Sequence, residues 1–122
     1  MNLHEKLDDI EQYVRRCVDN GTGMPAMRVM SSKWLLRILF HLGRKSPRRF
    51  GELRRIIPDL SSAALSSSLR ELQELEMISR KQYDEMPVRV EYSITEAGCE
   101  LLALDYDLVC WERKYFPPAF DK

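Results

Sequence analysis

Between Phe50 and Ile94 the apolar positions change their spacing twice, and each change marks a new element. Phe50, Leu53 and Ile57 recur at helical intervals, and Pro58, which has no amide hydrogen to donate, ends that repeat. Ser61 is a favoured N-cap residue, and beyond it Leu65, Leu69 and Leu72 form one helical stripe. Two amphipathic helices joined by a few residues are the frame of a helix-turn-helix. From Val88 the period shortens to two: Val88, Val90, Tyr92 and Ile94 alternate with Arg89, Glu91 and Ser93, the pattern of a strand with one buried face. Ile78 to Tyr83 supplies a weaker partner strand, and Asp84-Glu85-Met86-Pro87 is the turn between them. A helix-turn-helix followed at once by a hairpin predicts a winged helix-turn-helix, mainly α with a small β-hairpin wing (α+β).

The flanks are helical too. Leu3, Leu7, Ile10, Val14 and Cys17 share one stripe and predict a helix from about Leu3 to Val18. The stretch Asp19 to Pro25, with two glycines, predicts a hinge-like loop. Ser31 or Ser32 then caps a core helix carrying Trp34, Leu35, Ile38, Leu39 and Leu42, with Gly43 as its C-terminal cap. Trp34 lies on the apolar stripe, which suits a buried anchor better than a platform for stacking a base. Ser46-Pro47 suits a loop or a helix start. Thr95 caps a last helix with Leu101, Leu104, Leu108 and Trp111 at near-heptad spacing; Gly98 implies close approach of another backbone, and Pro117-Pro118 ends the helix.

A chain of 122 residues is one domain in size, and burying both terminal stripes inside it is difficult. The expected organisation is an N-terminal dimerisation helix and hinge (1–28), a winged core (29–94) and a C-terminal dimerisation helix (95–122). Leu3, Leu7, Ile10, Val14, Leu101, Leu104, Leu108 and Trp111 are the expected interface of a homodimer, which would set two recognition helices about one DNA turn apart on a palindrome.

The outward face of the second helix of the pair carries Ser61, Ser62, Ala63, Ser66, Ser67 and Arg70, all small, hydrogen-bonding or cationic. Such a face fits a major groove without clash or repulsion, and it is equally an ordinary solvated surface. Arg80, Lys81 and Arg89 fall on or near the wing, within reach of phosphates or a minor groove.

These residues resemble a known family. Lys33-Trp34, the run Arg49-Phe50-Gly51-Glu52-Leu53, Leu69-Arg70-Glu71-Leu72, and Pro87 to Thr95 with Gly98 are similar, in order and spacing, to the HxlR-type bacterial transcription regulators, a winged-helix group related to the MarR regulators. The resemblance spans roughly Val29 to Trp111. It implies a dimeric DNA-binding regulator, and places an arginine at the Arg70 position that reads a base, holds a phosphate or pairs with an internal acid. Several relatives sense electrophiles or oxidants through a cysteine ahead of the first core helix. Here the matching position is near Gly21, and Cys17 lies one helical turn upstream.

The formal net charge is zero, which by itself argues against nucleic acid, whose affinity comes largely from phosphate neutralisation. The distribution reverses that. Arg44, Lys45, Arg48, Arg49, Arg54 and Arg55 crowd one span against the single acid Glu52, while acids gather at Glu71, Glu74, Glu76 and toward the C-terminus. Arg48, Arg49, Arg54 and Arg55 are therefore expected at the DNA backbone.

Three cysteines, Cys17, Cys99 and Cys110, have no CxxC spacing, and the two histidines, His4 and His41, lie far apart, so neither a disulfide framework nor a metal site is indicated. Cys17 is the candidate redox-sensing thiol, with Arg15 and Arg16 beside it; its place on an apolar stripe equally suits an inert core cysteine. Cys99 and Cys110 suit packing in the last helix. A small-molecule effector has room between the terminal helices and the core. No phosphate loop, nucleophile elbow or metalloprotease motif is present, so no enzyme activity and no cofactor are expected. With no apolar run long enough for a bilayer and no secretion signal, a cytoplasmic protein bound to double-stranded DNA is expected. The alternative is a winged-helix protein-protein interaction module that binds no DNA.

Overall fold

The computed structural model describes residues 1–121. Helices α1 (Leu3–Asn20), α2 (Pro25–Ser31), α3 (Lys33–Arg44), α4 (Phe50–Ile56) and α5 (Ser62–Glu74) are followed by strands β1 (Ile78–Tyr83) and β2 (Arg89–Ile94), then by α6 (Glu96–Tyr115) and a 3-10 turn at Ala119–Asp121. The expected winged helix-turn-helix is present: α4 and α5 are the helix pair, and β1 and β2 form an antiparallel wing with Ile78 opposite Ile94 and Tyr83 opposite Arg89.

Local chemistry accounts for most helix ends. The Asn2 side chain accepts from the Glu5 amide and the Glu5 carboxylate accepts from the Asn2 amide, a capping box that starts α1. At the other end Gly21 has a φ of 65°, which a side chain would resist, and its amide and that of Thr22 turn back onto the Val18 and Cys17 carbonyls. Ser32, Ser61 and Thr95 cap α3, α5 and α6 as expected, each accepting from the amide three residues on.

Two expectations about the N-terminal third are corrected. Pro25 does not close a hinge loop; it opens α2, at the helix position where a missing amide costs no hydrogen bond. Fully buried Val29 anchors that short helix to the core. Gly43 does not cap α3, which runs on to Arg44 with Lys45 as its cap. The glycine is there for packing: a Cβ at Gly43 would lie 2.6 Å from Leu102 Cδ1 of α6.

One core unites the elements. Leu35, Ile38, Leu39 and Leu42 of α3 meet Leu53 of α4, Leu65, Leu69 and Leu72 of α5, Ile57 and Leu60 between them, and Ile78 of β1. Among the described residues no charged or polar residue is buried there. Trp34 is half-buried against this cluster, in keeping with an anchor, with Lys33 Nζ 4.6 Å and the Arg37 guanidinium 5.1 Å from its ring. Leu101, expected at a dimer interface, belongs to this core, only 6% exposed, because α6 crosses α3 at its level. Close crossing is what Gly98 permits: a Cβ there would meet the Met77 carbonyl oxygen at 2.5 Å.

The wing differs from a strand with one wet face. All six residues of β2 are half-buried, because β2 is flanked on one side by β1 and on the other by Arg48, whose backbone bridges Tyr92. No helix among the described residues is long and apolar enough to cross a membrane.

Candidate nucleic-acid interface

Leu65, Leu69 and Leu72 seat α5 on the core, so the rest of its circumference is presented outward. Ser62, Ala63, Ser66, Ser67 and Arg70 are all exposed, and Ser61, also exposed, is occupied in capping. The helix therefore offers small hydroxyl-bearing side chains that neither clash with base edges nor repel phosphate.

The cations divide into two groups once their partners are counted. Arg48 is drawn inward: its Nε donates to the His41 and Lys45 carbonyls at 3.2 and 3.1 Å, closing the open end of α3. Arg54 donates to the Leu60 carbonyl and braces the turn between α4 and α5. Arg89 lies over the Tyr83 ring at 3.9 Å and pairs with Glu85 at 3.3 Å and Glu91 at 3.5 Å, inside the wing. These three, expected at the DNA surface, spend donors on the fold. Arg28 and Arg37 are matched by Glu71 and Asp59.

Arg49, Arg55 and Arg70 are exposed and their side chains form no ion pair among the described residues; Arg80 donates to the neutral Gln82, and Lys81 lies over Tyr83. Of these, Arg70 of α5 and Arg80 of β1 line one notch, while Arg49 and Arg55 stand at the two ends of α4. Around the end of α3, burial first, then the positive charge of Arg48, Arg37 and Arg44, holds the His41 imidazole below its ordinary range and favours its neutral form. The wing tip is unlike that notch. Asp84 and Glu85 precede Met86 there, so the cationic part of the wing is its strand β1.

Between α5 and the hairpin lies a notch of about 340 Å³ lined by Ser66, Arg70, Gln73, Arg80 and Tyr92. Gln73 and Tyr92 are absent from the sequence-derived site. Gln73 was legible, since it continues the Ser66 and Arg70 stripe at helical spacing. Tyr92 was not, because alternation assigned it to a buried face.

A second groove, about 530 Å³ and mainly apolar, lies between α3 and α6 and is lined by Phe40, Arg44, Cys99, Leu102, Tyr106 and Val109. The thiol exposed on it is that of Cys99. Cys110 is exposed as well, whereas Cys17 is only 8% exposed. Cys99 and Cys110 are both exposed, so the packing expected of them is not found among the described residues.

A small-residue helix face, bordered by unmatched cations and a hairpin with a basic strand, is the surface of a winged-helix DNA-binding protein. Residues 29–120 match the HxlR-like helix-turn-helix family, and the chain belongs to that family. It is 39% identical over 87 residues to the HTH-type transcriptional regulator YkvN of Bacillus subtilis, covering 71% of this chain and 73% of that one. It is similar in structure to the reduced form of the transcriptional regulator YodB of B. subtilis, with a TM-score of 0.69, 31% identity and coverage of 77% of this chain and 91% of that chain. The redox regulator HypR in its oxidised form is similar at a TM-score of 0.63 and 32% identity, covering 72% of this chain and 90% of that chain. The chain is a DNA-binding transcriptional regulator of the HxlR type.

Proposed function

We propose that this regulator acts as a homodimer on a palindromic operator, held together by α1 and α6, and that a redox signal reaches it through a cysteine. The observation that carries the dimer is the pair of apolar faces left in water: Leu3, Leu7 and Ile10 on α1, and Leu104, Leu108 and Trp111 on α6, are each more than half exposed. Solvating so many large apolar groups on two helices is costly, and a two-fold partner can remove both faces from water. The chain then divides as its chemistry suggests, into a winged core between a dimerising helix at each end.

On the DNA, Ser62, Ala63, Ser66 and Ser67 of α5 face the major groove, and Arg49 and Arg55 contact the backbone beside them. The interaction-module reading has the weaker support, because it leaves this unmatched positive charge without a use.

For the signal, the relative HypR is a redox regulator, and in this chain the accessible thiols are Cys99 and Cys110 of α6, not Cys17. Cys99 opens on the groove between α3 and α6, so a change at its sulfur acts on the helix that also carries the dimer face. The same groove is where a small-molecule effector would lodge.

Selection from a pool of random duplexes at two salt concentrations tests the reading. The expected result is an inverted repeat whose half-sites lie about 10 base pairs apart, retained by a species that sediments as a dimer at micromolar concentration. A monomer retaining a single half-site overturns the dimer, and absence of any enrichment at low salt overturns the palindromic operator.

A further inference from the structure

We propose that the notch between α5 and the wing is a clamp for one DNA phosphate, held from two elements at once, with Arg70 and Arg80 as its charged jaws and Gln73 and Tyr92 as further contacts. The proposal rests on the DNA-binding reading and assigns a site within it.

The geometry comes from two registers. Ser66, Arg70 and Gln73 stand four and three residues apart on α5, and so share one stripe alongside the buried leucines. On the wing, Arg80 lies directly opposite Tyr92. The Tyr92 amide donates to the Arg48 carbonyl at 2.8 Å, and its own carbonyl accepts from the Arg48 amide at 2.9 Å. Both backbone groups of Tyr92 therefore point away from β1, which makes Arg80 and Tyr92 a non-hydrogen-bonded pair, the kind whose side chains lie closest. The helix stripe and the cross-strand pair face each other across the notch.

The charge is what makes this a site. Arg28, Arg37 and Arg89 each have a carboxylate, but the notch that Arg70 and Arg80 both line has no carboxylate in its lining. Like charges brought together without an acid repel, and an anion in the gap reverses the sign of that term. Arginine's planar fork suits the oxygens of a phosphate, and the Gln73 amide, Ser66 hydroxyl and Tyr92 phenol add neutral partners. The site is open on one side and shallow, as fits a group belonging to a polymer. With acids at the wing tip, β1 rather than the tip approaches the backbone. A phosphate bound here ties the reading helix to the wing and sets how far α5 enters the groove, so Arg70 positions the helix and does not read a base.

The test uses the full chain and two duplexes, the one recovered from the random pool and one of unrelated sequence. Arg70→Gln, Arg80→Gln and the double variant are compared with wild type, thermal melts confirming that each is folded. Each single variant is expected to weaken binding to both duplexes by the same factor, on the order of tenfold. Counted over the two half-sites of the dimer, removing contacts to separate phosphates would lower the salt slope by about 3.6, whereas removing both jaws from one phosphate per half-site lowers it by about 1.8. A single neutral methylphosphonate in each half-site should then cost the wild type affinity and cost the double variant nothing. Additive losses with a slope change of about 3.6, or an altered base preference in Arg70→Gln, would overturn the clamp and leave the DNA-binding reading intact. Failure of the wild type to bind either duplex would overturn both.

Discussion

Arg28 of α2 and Glu71 of α5 form a two-pronged ion pair, Nε to Oε2 at 2.7 Å and Nη2 to Oε1 at 2.8 Å, joining a short helix to the long second helix of the helix-turn-helix across 43 residues of sequence. The Arg28 guanidinium, mainly through these hydrogen bonds, holds the Glu71 carboxyl below the usual carboxylate range. A depressed carboxylate stabilises the fold at pH above its unfolded value, and that contribution is lost as pH falls through the folded one. Glu71→Gln should therefore melt below wild type at neutral pH, with the gap closing as the solution is acidified through the carboxylate range. A gap that stays constant with pH would show that the ion pair contributes nothing. The pair is partly exposed, so added salt should narrow the gap as well.

Two glycines make opposite demands. A methyl group at Gly98 would strike the Met77 carbonyl at 2.5 Å, a backbone atom held in place by the amide and hydroxyl of Thr95. A methyl at Gly43 would crowd only side-chain ends, Leu102 Cδ1, which can rotate aside, and Ile94 Cδ1 at an ordinary 3.6 Å. Gly98→Ala should cost about 1–3 kcal/mol in denaturant unfolding. Gly43→Ala should cost clearly less. Equal costs would mean that α6 is free to move away from the turn at Met77.

Neighbouring leucines on α6 should separate folding from assembly. Leu101 is core, and Leu101→Ala should lower stability by about 2–5 kcal/mol at any protein concentration. Leu108 is half exposed and lies outside the core cluster. Leu108→Ala should destabilise through lost dimer alone, so its effect should shrink on dilution to where wild type is itself monomeric. Melting temperatures over a hundredfold concentration range would decide; a Leu108→Ala effect independent of concentration would count against α6 as the interface.

Three substitutions should affect DNA affinity in different ways. Arg55, exposed, should on change to Ala weaken every sequence alike and reduce the salt slope by about 1.8, about 0.9 for each protomer of the dimer. Ser66→Ala should alter preference at one base position. Arg89 is matched by Glu85 and Glu91, so Arg89→Ala should leave the salt slope unchanged and instead loosen the wing. Filter binding across a salt series, with hydrogen exchange at β1 and β2, measures all three; a lowered slope in Arg89→Ala would return that residue to the DNA surface.

Thiol accessibility orders the cysteines. Alkylation of the reduced protein at neutral pH, read by mass spectrometry, should modify Cys99 and Cys110 well before Cys17. Were Cys17 modified first, α1 would have to open in solution, and the sensing thiol would belong there after all.

The sequence alone determined which segments of the winged core are helical or extended and where most of them stop. Those features depend on neighbours a few residues away: the stripes of α3 and α5, the caps at Ser61 and Thr95, the stop at Pro58. It also exposed the small-residue face of α5, because a helix period read from Leu65, Leu69 and Leu72 places every other residue. Tertiary structure decided how charge is shared. Nothing in the run from Arg44 to Arg55 distinguishes Arg48, turned onto the carbonyls of α3, or Arg54, turned onto Leu60, from Arg49 and Arg55, which stay free. A partner's position, not the residue type, decides whether a cation is structural. The same holds for α2, whose helix is too short to show a period and is held by Arg28 on Glu71 and Val29 in the core. It holds also for Leu101 against Leu104 and Leu108: one periodic stripe on α6, half taken up by the chain's own core and half left in water, where only the crossing of α6 over α3 draws the line.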